Sequence, residues 1–193
     1  MDVSRPWRVT PRIPPVPFAE WPAEMTDLLY GIDGSTTRHD ESTQRGKAAL
    51  GTLAHHPALA MRWLEVTKQI LRSSSLTDRH REILVLRTVA IRKSQFQWEE
   101  QRSVAARCGL DAETVGRIVA GPDASGWEPL EEALVRVVDE LVDEGCISEP
   151  TWLVLSSHFG PQQLLDMIFT VGAYETNCWM ARSFDLDVDP VPS

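Results

Sequence analysis

Glu82 is the first residue whose position suggests chemistry, because it directly precedes four apolar residues, Ile83 to Leu86. A carboxylate in apolar surroundings must be paired or have a raised pKa, and either state suits a group that exchanges protons in a reaction. The alternative is that Glu82 lies on the one exposed stripe of its helix and pairs with Arg79 or Arg81. If it is buried, Glu82 is a candidate catalytic acid.

A polar helix face follows shortly after Glu82. Ser94, Gln97 and Gln101 stand at i, i+3 and i+7. Trp98 stands at i+4, so all four side chains share one face of a helix. Such a face can line a substrate-binding pocket with Trp98 as one wall. It can equally face solvent, because polar side chains on helices are mostly exposed.

Tyr174 and Glu175 interrupt a long apolar stretch near the C-terminus. A buried Glu175 needs a partner for its charge, and a buried Tyr174 needs a hydrogen-bond partner for its hydroxyl. One of the two can therefore face a cleft formed with Glu82. The alternative is that Glu175 faces solvent while Tyr174 packs in the core.

His56 ends a predicted helix just before Pro57, together with His55. A helix terminus can direct an imidazole toward a site, so His56 is a candidate substrate-binding residue. The alternative is that the two histidines are cations favoured by the helix dipole at a C-terminus.

Composition limits the partners and the compartment. The 193 residues carry 28 acidic side chains against 19 Lys and Arg, a formal net charge of −9 without a compact basic cluster. Nucleic acid and anionic membranes are therefore poor partners. Three cysteines at positions 108, 146 and 178 are far apart in sequence, which favours a reducing compartment over a disulfide frame or a zinc site. We expect a cytoplasmic protein with no membrane span and no signal peptide.

Helical spacing dominates the chain, and no segment alternates as a strand would, so an all-α fold is predicted. Helices are expected over about 23–30, 44–55 and 94–107, around the apolar repeats at 59–70, 83–91 and 130–141, from Asp111 to Gly121, after Ser148, and from Pro161 through Phe184. Thr77 is the predicted N-cap of the helix that carries Glu82. Because residues 83–91 are apolar in all directions, that helix must be nearly buried.

The first 22 residues are expected to form an extended arm, because they contain six prolines. Apolar side chains from Trp7 to Trp21 lie between these prolines, which predicts an arm laid across a protein surface, its own or a neighbour's. The predicted organisation is this Pro-rich arm over 1–22, a single all-α domain over 23–185 and a tail over 186–193.

Four blocks of sequence together form a specific pattern. They are Thr77–Arg87, Ser94–Glu99, Gly121–Trp127 and Phe169–Thr176. The pattern resembles the carboxymuconolactone decarboxylase and alkyl hydroperoxidase D-like (AhpD-like) family, and the resemblance extends from about Pro14 to Pro190. It implies an alkyl hydroperoxidase D-like helical bundle without cofactor or metal. It also implies a homo-oligomer, a trimer or a multiple of one.

The departures from that family decide the expected chemistry. In its peroxidase branch, cysteines stand at the positions of Ser94 and Gln97, and neither residue here can supply the attacking or the resolving thiol. The sequence is also similar to the decarboxylase-like branch, whose motif is Ser-x-x-Glu-Trp followed by one or two histidines. Ser94 and Trp98 match it, while Gln97 replaces the glutamate, and Glu100 and Gln101 replace the histidines. Since glutamine cannot exchange a proton near neutral pH, another group must act or that reaction is lost.

We therefore expect a carboxymuconolactone decarboxylase-like enzyme without peroxidase activity, a decarboxylase, lyase or isomerase that acts on a small cyclic organic acid. The expected catalytic residues are Glu82, Glu100 and Gln101, and the expected substrate-binding residues are Ser94, Gln97, Trp98, His56 and Tyr174. Glu82 or Glu100 gives the proton in this hypothesis, and the polar side chains stabilise a developing enolate. The alternative is a non-catalytic ligand-binding or assembly protein that kept the fold.

Overall fold

The structure is a computed structural model that describes residues 10–27 and 41–186, with the side chains of 41–45 excepted. Its helices are α1 (Glu41–Leu53), α2 (Pro57–Arg72), α3 (Asp78–Arg92), α4 (Gln95–Arg107), α5 (Ala112–Ala120), α6 (Pro129–Asp143), α7 (Glu149–His158) and α8 (Pro161–Ser183). Residues 23–27 are also helical. These ranges contain no strand, which confirms the predicted all-α fold. The arm before residue 10, residues 28–30 of the first predicted helix and the tail from 187 lie outside the described residues.

Local sequence signals set most helix ends. The hydroxyl of Thr77 accepts a hydrogen bond from the His80 amide at the start of α3. Asp111 caps α5 in the same way, with its carboxylate bonded to the Thr114 amide at 2.8 Å. Each of these side chains satisfies an amide that has no partner inside its helix. The predicted helices therefore match the observed ones to within about three residues at each end.

The described residues form two compact units. The first contains 10–27, 41–68 and 179–186, and the second contains 69–178. Helices α2 and α8 each belong in part to both units. No helix in the described ranges is long and apolar enough to cross a membrane.

In the first unit, the Pro-rich segment lies against its own chain. The Val16 amide donates to the Gly51 carbonyl in α1 at 3.0 Å. The indole of Trp21 is buried and donates to the Val16 carbonyl at 2.9 Å. Arg12 pairs with Asp185 at 2.8 Å. A small apolar core results, made of Trp21, Met25, Leu50, Ala54, Ala60 and Leu64.

Over residues 12–21 the Pro-rich arm therefore lies across its own chain, one of the two surfaces that the sequence analysis left open. Prolines remove backbone donors and prevent a helix, but the remaining amides and the Trp21 indole still find acceptors nearby in the chain. The arm consequently offers no support for an oligomer over this range.

The second unit is built around α3. This helix contacts α4, α5 and α6, and its residues 82–86 are all buried. The core around it includes Ile83, Leu84, Leu134, Leu155 and Met167. An apolar helix without an exposed stripe requires neighbours on every side, as its sequence predicts.

Arg87 ties three of these helices together. Its guanidinium makes two hydrogen bonds to Asp139 on α6, at 2.6 and 2.7 Å. It also donates to the carbonyls of Ile118 and Val119 at the end of α5. Bidentate Arg–carboxylate pairs of this kind combine strength with fixed geometry. The position of α3 relative to α5 and α6 is thereby fixed.

The contact of the arm with α1 generates a prediction about two glycines. A Cβ atom at Gly51 would come within 2.7 Å of Pro15 Cβ and 2.9 Å of the Val16 carbonyl oxygen, whereas one at Gly46 in the same helix would meet nothing within 4 Å. We expect Gly46→Ala to stabilise the protein by up to about 1 kcal/mol through helix propensity. Gly51→Ala is expected to destabilise it by about 1–3 kcal/mol, because the arm must move. Urea unfolding of the two variants checks this, and equal stabilisation by both would contradict the arm contact.

Candidate active site

Glu82 lies inside the second unit. Its exposed fraction is 2%, and its Oε1 atom has no hydrogen-bond partner. The alternative of an exposed Glu82 paired with a neighbouring arginine is wrong. Arg79 pairs with Glu131 at 2.7 Å and Arg81 pairs with Asp78 at 2.7 Å. The prediction that the Glu82 carboxyl is buried is therefore confirmed.

Burial raises the pKa of Glu82 to about 8, because an ionised carboxylate loses its hydration there. The charges of Arg81 and Arg107 act in the opposite direction, but burial dominates. At neutral pH most Glu82 side chains therefore carry a proton. Near pH 8 the group gains and loses a proton with equal ease, which is the property that a general acid or base requires.

Tyr174 and Gln101 form a hydrogen-bonded pair in the same unit. The Gln101 side-chain amide donates to the Tyr174 hydroxyl oxygen at 3.2 Å, and both residues are buried. Burial raises the pKa of Tyr174, and the nearby charge of Glu82 raises it further. Tyr174 packs with Val85 and Cys178, and the half-buried Trp98 lies against this cluster. The Tyr174 hydroxyl oxygen thus accepts a hydrogen bond from Gln101.

Ser94 and Gln97 lie at the start of α4. The Ser94 hydroxyl caps the helix by accepting from the Gln97 amide, at 3.4 Å. Ser94, Gln97 and Gln101 are all buried, with Gln97 and Gln101 each 8% exposed. The alternative that this helix face is solvated is therefore wrong.

Two predicted site residues have other surroundings. Glu100 is half-buried on α4. His56 is exposed and belongs to the first unit, where its Nδ1 atom accepts from the Leu59 amide at 3.3 Å. It precedes α2 rather than ending a helix, since α1 stops at Leu53. Its role in substrate binding stays a prediction.

Glu175 has a structural partner. Arg92 on α3 donates its Nε to Oε1 of Glu175 and its Nη2 to Oε2, both at 2.6 Å. Glu175 is buried, so the alternative that it faces solvent is wrong. Glu175 therefore links α8 to α3, and both of its carboxylate oxygens are already occupied by Arg92.

Sequence reasoning missed three groups that are electrostatically coupled around Glu82. The charge of Glu82 raises the pKa of the Cys108 thiol, while those of Arg81 and Arg107 lower it. The sequence suggests Arg81 as an ion-pair partner of Glu82, and its position next to Glu82 also indicates that its charge acts on that carboxyl. Cys108 directly follows α4, and nothing in its spacing pointed to Glu82.

The three cysteines, all within the described residues, form no disulfide, and they differ in exposure. Cys178 is buried and Cys108 half-buried, but Cys146 is exposed. Within the described ranges, no three His, Cys, Asp or Glu side chains are grouped as a metal site requires. The grouping of Glu82, Tyr174 and Gln101 thus supplies a protonated carboxyl, a phenol and an amide.

The fold that carries this group is AhpD-like. A solved structure from Agrobacterium tumefaciens, a protein of unknown function provisionally assigned as the antioxidant defence protein AhpD, matches with a TM-score of 0.61 at 18% sequence identity. The match covers 73% of this chain and 95% of that one. No protein-family model matches the sequence. No curated protein sequence matches it either.

The buried Glu82 carboxyl generates a prediction about pH and stability. Between about pH 4.5 and 8 the folded chain keeps the Glu82 proton that the unfolded chain has lost, so the free energy of unfolding falls as pH rises. This loss amounts to up to about 4 kcal/mol between pH 5 and 8. Glu82→Gln removes the proton exchange, so its unfolding free energy is expected to change less over this range.

Urea unfolding at pH 5, 6, 7 and 8 measures this difference. Glu65→Gln, at an exposed position on α2, serves as the control and should follow the wild-type pH dependence. If the Glu82→Gln curve runs parallel to the wild-type curve, the folded-state pKa of Glu82 is not raised.

Proposed function

We propose that this protein is a carboxymuconolactone decarboxylase-like enzyme that uses acid and base chemistry on a small cyclic organic acid. The observation that carries the proposal is the Glu82 carboxyl, which is buried, has an unpartnered oxygen and has a pKa of about 8. An unpaired buried carboxyl is costly to keep, and groups of this kind concentrate at functional sites. The resemblance of the sequence to this family supports the same reaction class.

The proposed step transfers a proton to carbon. In a decarboxylation, the C–C bond to the departing carboxylate breaks, CO2 leaves and the electron pair forms an enolate. Glu82 then gives its proton to the enolate carbon and regains one from water. In an isomerisation, ionised Glu82 first removes a proton from carbon and returns it elsewhere. The Tyr174 hydroxyl and the amides of Gln97 and Gln101 donate to the enolate oxygen, and Trp98 forms a wall beside it.

Other predicted residues have smaller parts in this proposal. Ser94 sets the start of α4 and thus the position of Gln97. Glu100 is the second candidate acid, and His56 a candidate substrate contact.

The proposal excludes thiol-dependent peroxide reduction. Ser94 and Gln97 occupy the positions where the peroxidase branch of the family that this sequence resembles has its two cysteines. Such chemistry needs an attacking thiolate and a second thiol, and burial raises the pKa of Cys108, which disfavours its thiolate. We further propose that the protein works in the cytoplasm, where the free and exposed Cys146 thiol stays reduced.

A non-catalytic ligand-binding or assembly protein is the second candidate. It is favoured by the exposed apolar face of α8, where Leu165 is 58% and Phe169 60% exposed, with Ile168 between them. Residues at i, i+3 and i+4 share one helix face, and apolar groups of this kind mark interaction surfaces. Oligomerisation and catalysis are compatible, so a positive result for one does not exclude the other.

Deuterium exchange tests the catalytic proposal. The wild-type protein in D2O is incubated with a panel of small cyclic keto acids and lactone acids, and NMR follows deuterium at the carbon next to the carbonyl. Decarboxylation places a solvent-derived deuteron on the carbon that loses CO2. In an isomerisation, Glu82 exchanges the proton it has removed for a deuteron from solvent and delivers it to the carbon that receives the proton, so both carbons are followed. We expect Glu82→Gln to slow the labelling by about 10²–10⁴-fold, because the exchangeable proton is lost.

Glu65→Gln is the matched control, and it should label the substrate at the wild-type rate. Undiminished labelling by a folded Glu82→Gln protein would contradict the role of Glu82 as the catalytic acid. Glu100 would then be the remaining candidate. Turnover of an organic hydroperoxide that ends on alkylation of the cysteines would contradict the proposed reaction class.

The oligomer is a separate prediction. We expect a homo-oligomer, a trimer or a multiple of one, with the exposed face of α8 in its interface. Light scattering at micromolar concentration should give that mass for the wild type. Because glutamine weakens apolar burial but preserves the helix, the double variant Leu165→Gln, Phe169→Gln should shift to smaller species.

Val119→Gln is the control, since it changes another exposed apolar residue, on α5. It should keep the wild-type mass. A monomeric wild type would rule out the oligomer.

A further inference from the structure

Arg81 is an enclosed cation with a single weak partner. The exposed fraction of its side chain is 11%, while that of Asp78, with which it pairs at 2.7 Å, is 76%. This pair uses one Nη2–H of the guanidinium, which has five N–H donors. No other side chain or carbonyl in the described part of the chain bonds to it. Most donors of a largely buried guanidinium are thus free for a ligand.

Arg81 lies beside the candidate site. It directly precedes Glu82 on α3. In agreement with this position, its charge lowers the pKa values of Glu82, Cys108 and Tyr174. The charge of Arg81 therefore acts on both of the groups proposed for proton transfer and oxygen binding, Glu82 and Tyr174.

Glu82 does not neutralise Arg81. Its Oε1 atom has no hydrogen bond, and the Glu82 carboxyl is mostly protonated at neutral pH. The anion paired with Arg81 is the exposed Asp78, whose attraction is screened by water. An incoming carboxylate therefore meets a cation beside a mostly neutral acid.

We propose that Arg81 binds a carboxylate of the substrate that the reaction leaves in place, so that the site selects small organic anions over their neutral analogues. Guanidinium groups fit carboxylates with two parallel N–H···O bonds, which orients the bound molecule as well as holding it. This inference rests on the proposed function in one respect, that the bound molecule is a substrate whose reacting carbon faces Glu82. Anion binding itself requires no turnover.

Asp78 has a defined part in this proposal. It occupies one Nη2–H of Arg81 in the ligand-free protein and competes with a bound carboxylate. Asp78→Asn removes that competing charge while keeping the size of the side chain. This variant is therefore expected to bind anions more tightly, the opposite of a loss that damage to the fold would cause.

Benzoate and its neutral analogue benzamide are suitable probes, with affinities measured by ligand-observed NMR titration. The wild type is expected to bind benzoate more tightly than benzamide. Arg81→Gln should raise the benzoate Kd by about tenfold or more and leave the benzamide Kd unchanged. Arg81→Lys keeps the charge but not the bidentate geometry, so its benzoate Kd should lie between those of the wild type and Arg81→Gln. Asp78→Asn should lower the benzoate Kd.

Arg102→Gln is the matched control, because Arg102 is exposed on α4 and pairs with Glu99. It should keep the wild-type preference. Glu82→Gln should also keep the preference for benzoate over benzamide, since glutamine is neutral and the Glu82 carboxyl is mostly protonated at pH 7. This result separates anion binding from catalysis. Benzoate bound no better than benzamide by the wild type, or equally well by wild type and Arg81→Gln, would overturn the proposal. So would weaker benzoate binding by Asp78→Asn.

Discussion

Helix α3 has apolar side chains around almost its whole circumference, and the second unit is arranged to remove them from water. Helices α4, α5 and α6 all contact it, and residues 83–86 are buried. Burial of this kind is the main favourable term in folding. Any polar side chain on the same helix must then find a partner, reach solvent or change its protonation state.

The polar residues of α3 meet this requirement in different ways. Arg87 is held by Asp139, and Arg92 is held by Glu175, each through several hydrogen bonds to one carboxylate. Glu82 has no such partner and instead retains a proton. The same helix thus stabilises its surroundings through ion pairs with neighbouring helices and maintains one neutral acid. A carboxyl that only served stability would be better replaced by an apolar side chain.

The sequence allowed the fold to be predicted well because its signals are local. Thr77 and Asp111 mark helix starts by their own side chains, and Glu82 stands out because its neighbours are apolar. Contacts across long sequence separations were not accessible in this way. The Gln101–Tyr174 hydrogen bond and the Arg92–Glu175 pair depend on how α8 packs against α3 and α4, which periodicity does not specify. The fit of the arm to α1 depends in the same way on one close contact at Gly51.

The link between α3 and α4 consists of two residues, Lys93 and Ser94. Lys93 adopts a left-handed conformation, with φ at 52°, which turns the chain sharply into the next helix. Glu82 and Gln101 consequently sit on one helical hairpin, whose closure costs little chain entropy. Tyr174 is 73 residues from Gln101 in sequence, and it reaches this hairpin through its hydrogen bond with Gln101. During folding, the acid and amide half of the site can therefore assemble early, while the phenol arrives when the unit closes around it.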